Sequence, residues 1–167
     1  MIKKVMEQDN YRYYSYAETL SLMQEDAINE LRKMAESGNI NAQFRLGVHY
    51  QGINWETWQW GDVRDAERAA YWYLQAAEQG DGAAQCSLSY CYEIGSGVEK
   101  NLQKALYWLY KAVENNEVFA LRRLGDHYRD GLYPYISKDI NKAKEYWKKA
   151  AELGNEDARK RLEKIYE

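Results

Sequence analysis

Few residues in this chain could do chemistry, and their placement decides what chemistry that would be. The two histidines, His49 and His127, each stand seven positions after an alanine, Ala42 and Ala120, and Cys91 stands seven after Ala84. A column of His, Cys and His is raw material for a metal-binding or hydrolytic centre. Distance argues against it: the three belong to successive copies of one pattern, and packed helices lie about 8–10 Å apart. Zinc donors must sit about 2.0–2.3 Å from the ion, within about 4 Å of one another. We therefore expect half-buried packing residues, with a metal-binding or hydrolytic protein using His49, Cys91 and His127 as the alternative. The run Ile94-Gly95-Ser96-Gly97-Val98 invites a phosphate-loop reading, but no Lys-Ser or Lys-Thr follows at the required spacing. These glycines read as an interhelical turn. Acid pairs such as Glu152 and Glu156 read as solvated helix surface. No nucleophile, base and orienting group assemble, so the expectation is a non-enzyme without cofactor or bound metal.

The elements that carry these residues follow from one spacing. Ala-xxx-Leu-xxx-Tyr occurs four times: Ala42, Leu46, Tyr50; Ala84, Leu88, Tyr92; Ala120, Leu124, Tyr128; Ala158, Leu162, Tyr166. Positions i, i+4 and i+8 form one stripe of a helix, so each set marks a helix with a buried face. Fifteen residues before each alanine stands another, at Ala27, Ala69, Ala105 and Ala143. Seven further on come Met34, Ala76, Ala112 and Ala150, with Trp72, Trp108, Tyr146 and Trp147 between. A second helix, small residues packed against large ones, is expected there.

The helix ends recur too. Asp65, Asn101 and Asp139 sit four before the second-helix alanine, where a side-chain oxygen caps free backbone N–H groups. Gly38, Gly80, Asn116 and Gly154 end those helices in residue types that tolerate a left-handed backbone, and Asn39, Asp81 and Asn155 are placed to cap the next helix. The copies start 42, 36 and 38 residues apart, the period of a two-helix solenoid. Expected first helices lie near 41–51, 83–93, 119–129 and 157–166, and second helices near 24–37, 66–79, 102–115 and 140–153. Residues 27–167 form the repeat array. Residues 1–26 are a leader or a cap, in which Tyr11, Tyr13, Tyr14 and Tyr16 either cover the first helical pair or fray.

These residues resemble the Sel-one-like repeat, a relative of the tetratricopeptide repeat. The middle copy shows it best, with Ala84, Leu88, Tyr92, Gly95, Gly97, Val98, Asn101, Lys104-Ala105, Trp108 and Lys111-Ala112. The last copy adds Leu124-Gly125, Tyr128, Lys142-Ala143, Trp147, Lys149-Ala150-Ala151 and Gly154. The resemblance implies an all-α, right-handed α-α solenoid of about three and a half helix-turn-helix repeats with a C-terminal capping helix. It also implies adaptor, scaffold or toxin-neutralising roles, mostly bacterial. Ser89 and Asn116 replace glycines of the pattern, and the paired cysteines that staple some secreted relatives are missing here.

Composition narrows the partner. The chain has 167 residues and a net charge of −3, without the basic excess of a nucleic-acid binder. Residues 51–100 hold eight acids and three bases, and residues 101–150 ten bases and six acids. No stretch is long and apolar enough to span a membrane. Cys86 and Cys91, five apart on a helix, point in different directions, which fits a reducing compartment. A cytoplasmic location is expected, or a mature form whose leader is missing.

A protein partner is therefore expected, a toxin or effector among the candidates; a self-assembling solenoid is the remaining alternative, and oligomeric state stays open. In tetratricopeptide-like solenoids the first helices line the concave face. The row opposite the buried stripe contains Phe44, Val48, Tyr90, Arg122, Arg129, Lys160 and Lys164, running from apolar to basic. The connection after Tyr50 is six residues longer than that after Tyr92 and carries Trp55, Trp58 and Trp60. Tryptophans of such an insertion either anchor a partner or fold back as packing.

Overall fold

A computed structural model describes residues 16–54, 59–60, 65–132 and 134–165 of the chain. Within them lie α1 (Tyr16–Glu36), α2 (Ile40–Tyr50), a ribbon of β1 (Ile53–Asn54) and β2 (Gln59–Trp60), α3 (Ala66–Glu78), α4 (Gly82–Ile94), α5 (Leu102–Glu114), α6 (Val118–Asp130), α7 (Ile140–Glu152) and α8 (Glu156–Glu163). Each helix packs on the next, and the first helices of successive repeats also touch, α2 on α4 and α4 on α6. This is an α-α solenoid.

The caps show why the helices start where they do. Asp65, Asn101 and Asp139 accept from the N–H groups of Arg68, Lys104 and Lys142 at 3.0, 2.9 and 3.0 Å. Asn39, Asp81 and Asn155 accept from Ala42, Ala84 and Ala158 at 2.9, 2.6 and 2.8 Å. Gly38, Gly80 and Gly154 adopt φ of 92°, 93° and 94°, and Asn116 takes the same role at 55°. Connections of unequal length are closed by one recurrent bond: the N–H groups of Asp65, Asn101 and Asp139 donate to the carbonyls of Tyr50, Tyr92 and Tyr128. Gly97 is needed for contact as well as for its turn, since a Cβ there would collide with the Ala66 carbonyl.

The core runs along the array in three clusters, around Leu46, Tyr73 and Leu88, then Leu106, Leu109 and Leu124, then Leu121, Trp147 and Ala158. Two glycines set how closely helices of a pair approach. A Cβ on Gly47 would strike the Tyr73 ring, and one on Gly125 would strike Trp147. In the middle repeat the matching residues are Ser89 and Leu109, both buried. A smaller side chain on α5 leaves room for a larger one on α4, which accounts for Ser89 where a glycine was expected.

Two sequence expectations change, and one element is added that spacing did not show. The expected break at residue 26 lies inside α1, which starts at Tyr16, not near 24; Ala17 to Glu25 contains neither Gly nor Pro to stop a helix. Met34, placed with the buried alanines, is 44% exposed, whereas its neighbour Ala35 is buried. The long connection of repeat one contains a two-residue antiparallel ribbon, with Ile53 opposite Trp60 and Asn54 opposite Gln59.

Candidate partner-binding surface

The first helices α2, α4 and α6 each bury the Ala-Leu stripe, α8 buries Ala158 with Leu162 half-buried, and each turns another face outward. At about 100° per residue, Tyr90, Ile94 and Phe119 fall within about 40° of one another on the equivalent face of α4 and α6. All three are large, apolar and exposed, by 44%, 51% and 60%. Lys160 and Lys164 carry the row onto α8 and its C-cap, where both are exposed.

Other residues expected in this row belong to the interior. Val48 is buried, 3% exposed, and Phe44 is half-buried with its ring 5.9 Å from that of Tyr73. Helix α2 is covered by α3 on one side and by α4 on another, so a second face of it is core. That excludes Val48 as a contact residue. Arg122 is not a free surface charge either. Its Nη1 donates to Asp126 Oδ2 at 2.8 Å, and Asp126 Oδ1 accepts from Arg161 Nε at 2.7 Å and Trp147 Nε1 at 3.1 Å. Asp126 thus ties α6, α7 and α8 together. Arg129 pairs with Asp130 at 2.6 Å and lies 5.7 Å over the Trp147 ring. Trp55 and Trp58 lie outside the described residues, as does Tyr166; Trp60 is placed in β2, with only its backbone described.

The His and Cys column is dispersed into separate environments. His49 meets the edge of Tyr50, with ring centres 5.2 Å apart, and burial followed by the Arg32 charge lowers its pKa. Cys91 is 2% exposed, and burial pushes its thiol up to about 11. His127 Nε2 lies 3.4 Å from Glu93 Oε2, and Arg123 pairs with the same oxygen. Burial raises the Glu93 carboxyl, but His127 and Arg123 outweigh it and hold its pKa below the ordinary value. Arg123 also donates to the Cys86 carbonyl at 2.9 Å and lies 5.4 Å over Tyr90, so this cluster fixes the floor of the exposed row. Among the described residues no three His, Cys, Asp or Glu side chains converge to hold a metal ion.

Spacing alone missed a second feature. Arg68, Lys104 and Lys142, three residues after their caps, place a cation 5.5, 5.3 and 5.2 Å from the ring centres of Tyr50, Tyr92 and Tyr128. Each repeat therefore carries one cation on one tyrosine along the edge where the connections lie.

Comparison with known proteins agrees with this architecture. A family model described as Sel1 repeat matches residues 40–81, 82–117 and 118–155. An uncharacterized protein of Neisseria meningitidis is 30% identical over 149 residues, 89% of this chain and 29% of that protein. Chitin synthase regulatory factor 3 of Schizosaccharomyces pombe is 32% identical over 135 residues, 79% of this chain and 14% of that protein. The chain thus spans less than a third of either relative. Among solved structures, a protective antigen of uropathogenic Escherichia coli with an SLR fold superposes with a TM-score of 0.71 at 30% identity, covering 84% of this chain and 28% of that one. A Sel1 repeat protein from Oxalobacter formigenes gives 0.71 at 31% identity, covering 84% and 54%. Among the described residues no helix is long and apolar enough to cross a membrane.

Proposed function

Because this chain belongs to the Sel1-repeat family, whose members are generally protein-interaction modules, we propose that it is a non-catalytic binder of a partner protein. The partner seats on the exposed face of α4 and α6. The observation that carries this reading is the shared outward face of Tyr90, Ile94 and Phe119, since exposed large apolar residues gathered on one face mark interaction sites. Lys160 and Lys164 extend that face with positive charge, complementary to an acidic end of the partner. The Trp-bearing connection of repeat one supplies a further contact. In the cell the chain acts as a cytoplasmic adaptor, or as an inhibitor that occludes a toxin or effector. The fission-yeast relative bears the name of a regulatory factor, which favours control through binding.

Affinity purification of the full chain from its source cell tests this. Wild type should recover a stoichiometric partner, and Tyr90→Ala with Phe119→Ala should lose it while keeping the same melting temperature. Equal recovery by both proteins would move the site elsewhere. If the partner is a toxin, adding the chain should abolish its activity at one-to-one stoichiometry; an adaptor leaves its partner active.

A further inference from the structure

We propose that a groove at the edge of repeat one is a binding site for an acidic segment of a protein, seating its carboxylate between two arginines. The proposal rests on the protein-binding reading and adds a second surface with a stated ligand chemistry. The groove has a volume of about 410 Å³ and is lined by Arg32, Tyr50, Arg68, Tyr71 and Trp72. It lies where α1, α2 and α3 meet.

Its cations are only weakly satisfied. Arg32 donates to Asn29 Oδ1 at 2.9 Å and to the Tyr50 hydroxyl at 3.2 Å, both uncharged partners. The Glu36 carboxylate also acts electrostatically on Arg32. Arg68 has Asp65 at 3.2 Å, in a pair whose arginine side chain is 65% exposed. That carboxylate already accepts the Arg68 backbone N–H. Exposed pairs of this kind contribute about 0–1 kcal/mol, so a ligand carboxylate joins Arg68 at little cost. The Arg68 guanidinium lies 5.5 Å over the Tyr50 ring, which limits its orientations.

The walls explain why the ligand is a peptide segment and not a bare anion. Tyr71 is 54% exposed and meets Trp72 edge to face, with ring centres 5.0 Å apart. This gives apolar surface on which a side chain next to the carboxylate can lie. In the following repeats Lys104 over Tyr92 and Lys142 over Tyr128 hold the place that Arg68 over Tyr50 holds in the groove. Tyr107 repeats the exposure of Tyr71 there, at 56%. An extended chain with an acid in the groove meets another cation in each following repeat.

The test is a selection of displayed random decapeptides on the intact chain. Wild type should enrich Asp or Glu beside an aromatic or aliphatic residue. Arg32→Gln with Arg68→Gln should lose that enrichment. Arg68→Gln alone changes an exposed residue, which keeps the test valid if Arg32 proves necessary for folding. It should weaken the selected peptides by up to about fivefold, the factor equivalent to about 1 kcal/mol of lost exposed pairing. No acidic enrichment on wild type would overturn the proposal, and so would the same enrichment on the double variant. Displacement of the peptides by inorganic phosphate, beyond that by chloride at equal ionic strength, would make the groove a small-anion pocket and also overturn it. None of these failures touches the Tyr90 and Phe119 site, which is scored on the native partner.

Discussion

Replacing Gly125 by alanine puts a methyl group where the fold leaves no space. Its Cβ would lie 2.5 Å from Trp147 Cδ1, 2.6 Å from Nε1 and 3.1 Å from the Ala143 carbonyl oxygen. Trp147 cannot swing away. It is fully buried, and its Nε1 donates to the Arg122 carbonyl at 3.2 Å and to Asp126 at 3.1 Å. Alanine gains about 1 kcal/mol over glycine in a helix interior. Overpacking a core costs about 1–3 kcal/mol, and with a fixed indole the upper end applies. The net is a destabilisation of about 1–2 kcal/mol, which lowers Tm by about 2–8 °C for a chain of this size. Thermal melts followed by circular dichroism measure it. The middle repeat supplies the control, because Ser89 and Leu109 occupy these two positions there. In a Trp147→Leu background, Gly125→Ser should therefore cost far less than in wild type. A rise in Tm for Gly125→Ala, as for a glycine in an open helix, would refute the steric account.

Asp126→Ala should cost about 2–3 kcal/mol, because it takes the carboxylate from both Arg122 and Arg161 and leaves the Trp147 N–H with the Arg122 carbonyl alone; urea unfolding checks this, and a change below about 0.5 kcal/mol would mean the network contributes nothing. The Glu93 pKa is depressed in the folded state, so its stabilisation is present above the unfolded carboxylate value and is lost as pH falls through the lower folded one. Stability should thus drop below about pH 4.3, and Glu93→Gln should flatten that drop. The lowered pKa of His49 acts in the same direction at higher pH: stability falls as pH drops below about 6.5, and His49→Gln removes the slope. Cys86 and Cys91 are both buried with raised thiol pKa values, so Ellman's reagent at pH 8 should label neither until denaturant unfolds the chain.

What the sequence made legible was local. Capping by Asp65, Asn101 and Asp139, termination at Gly80 or Asn116 and the Ala-Leu stripes each depend on residues within a few turns, and four copies in register reinforce one another. Contacts between repeats were not legible. Val48 looked solvent-facing because one buried stripe was assigned to α2, whereas solenoid stacking buries a second. Arg122 looked like a surface charge because its partner Asp126, one turn on in α6, is the centre of a network that draws in Trp147 from α7 and Arg161 from α8. Phe119 and Ile94 were overlooked for a related reason: the row was drawn through positions opposite the stripe, and these two lie on its flank. The cation over each of Tyr50, Tyr92 and Tyr128 had a readable signal, a basic residue three after Asp65, Asn101 and Asp139, whose meaning appears only when the helices pair.

The claim that this chain works by binding a protein through α4 and α6 is tested most directly by hydrogen exchange on the isolated chain and on its native complex. The account predicts new protection of backbone amides on the face of α4 and α6 that carries Tyr90, Ile94 and Phe119, continuing toward Lys160 and Lys164. A partner that leaves those amides unchanged, while protecting only other surfaces, would contradict it.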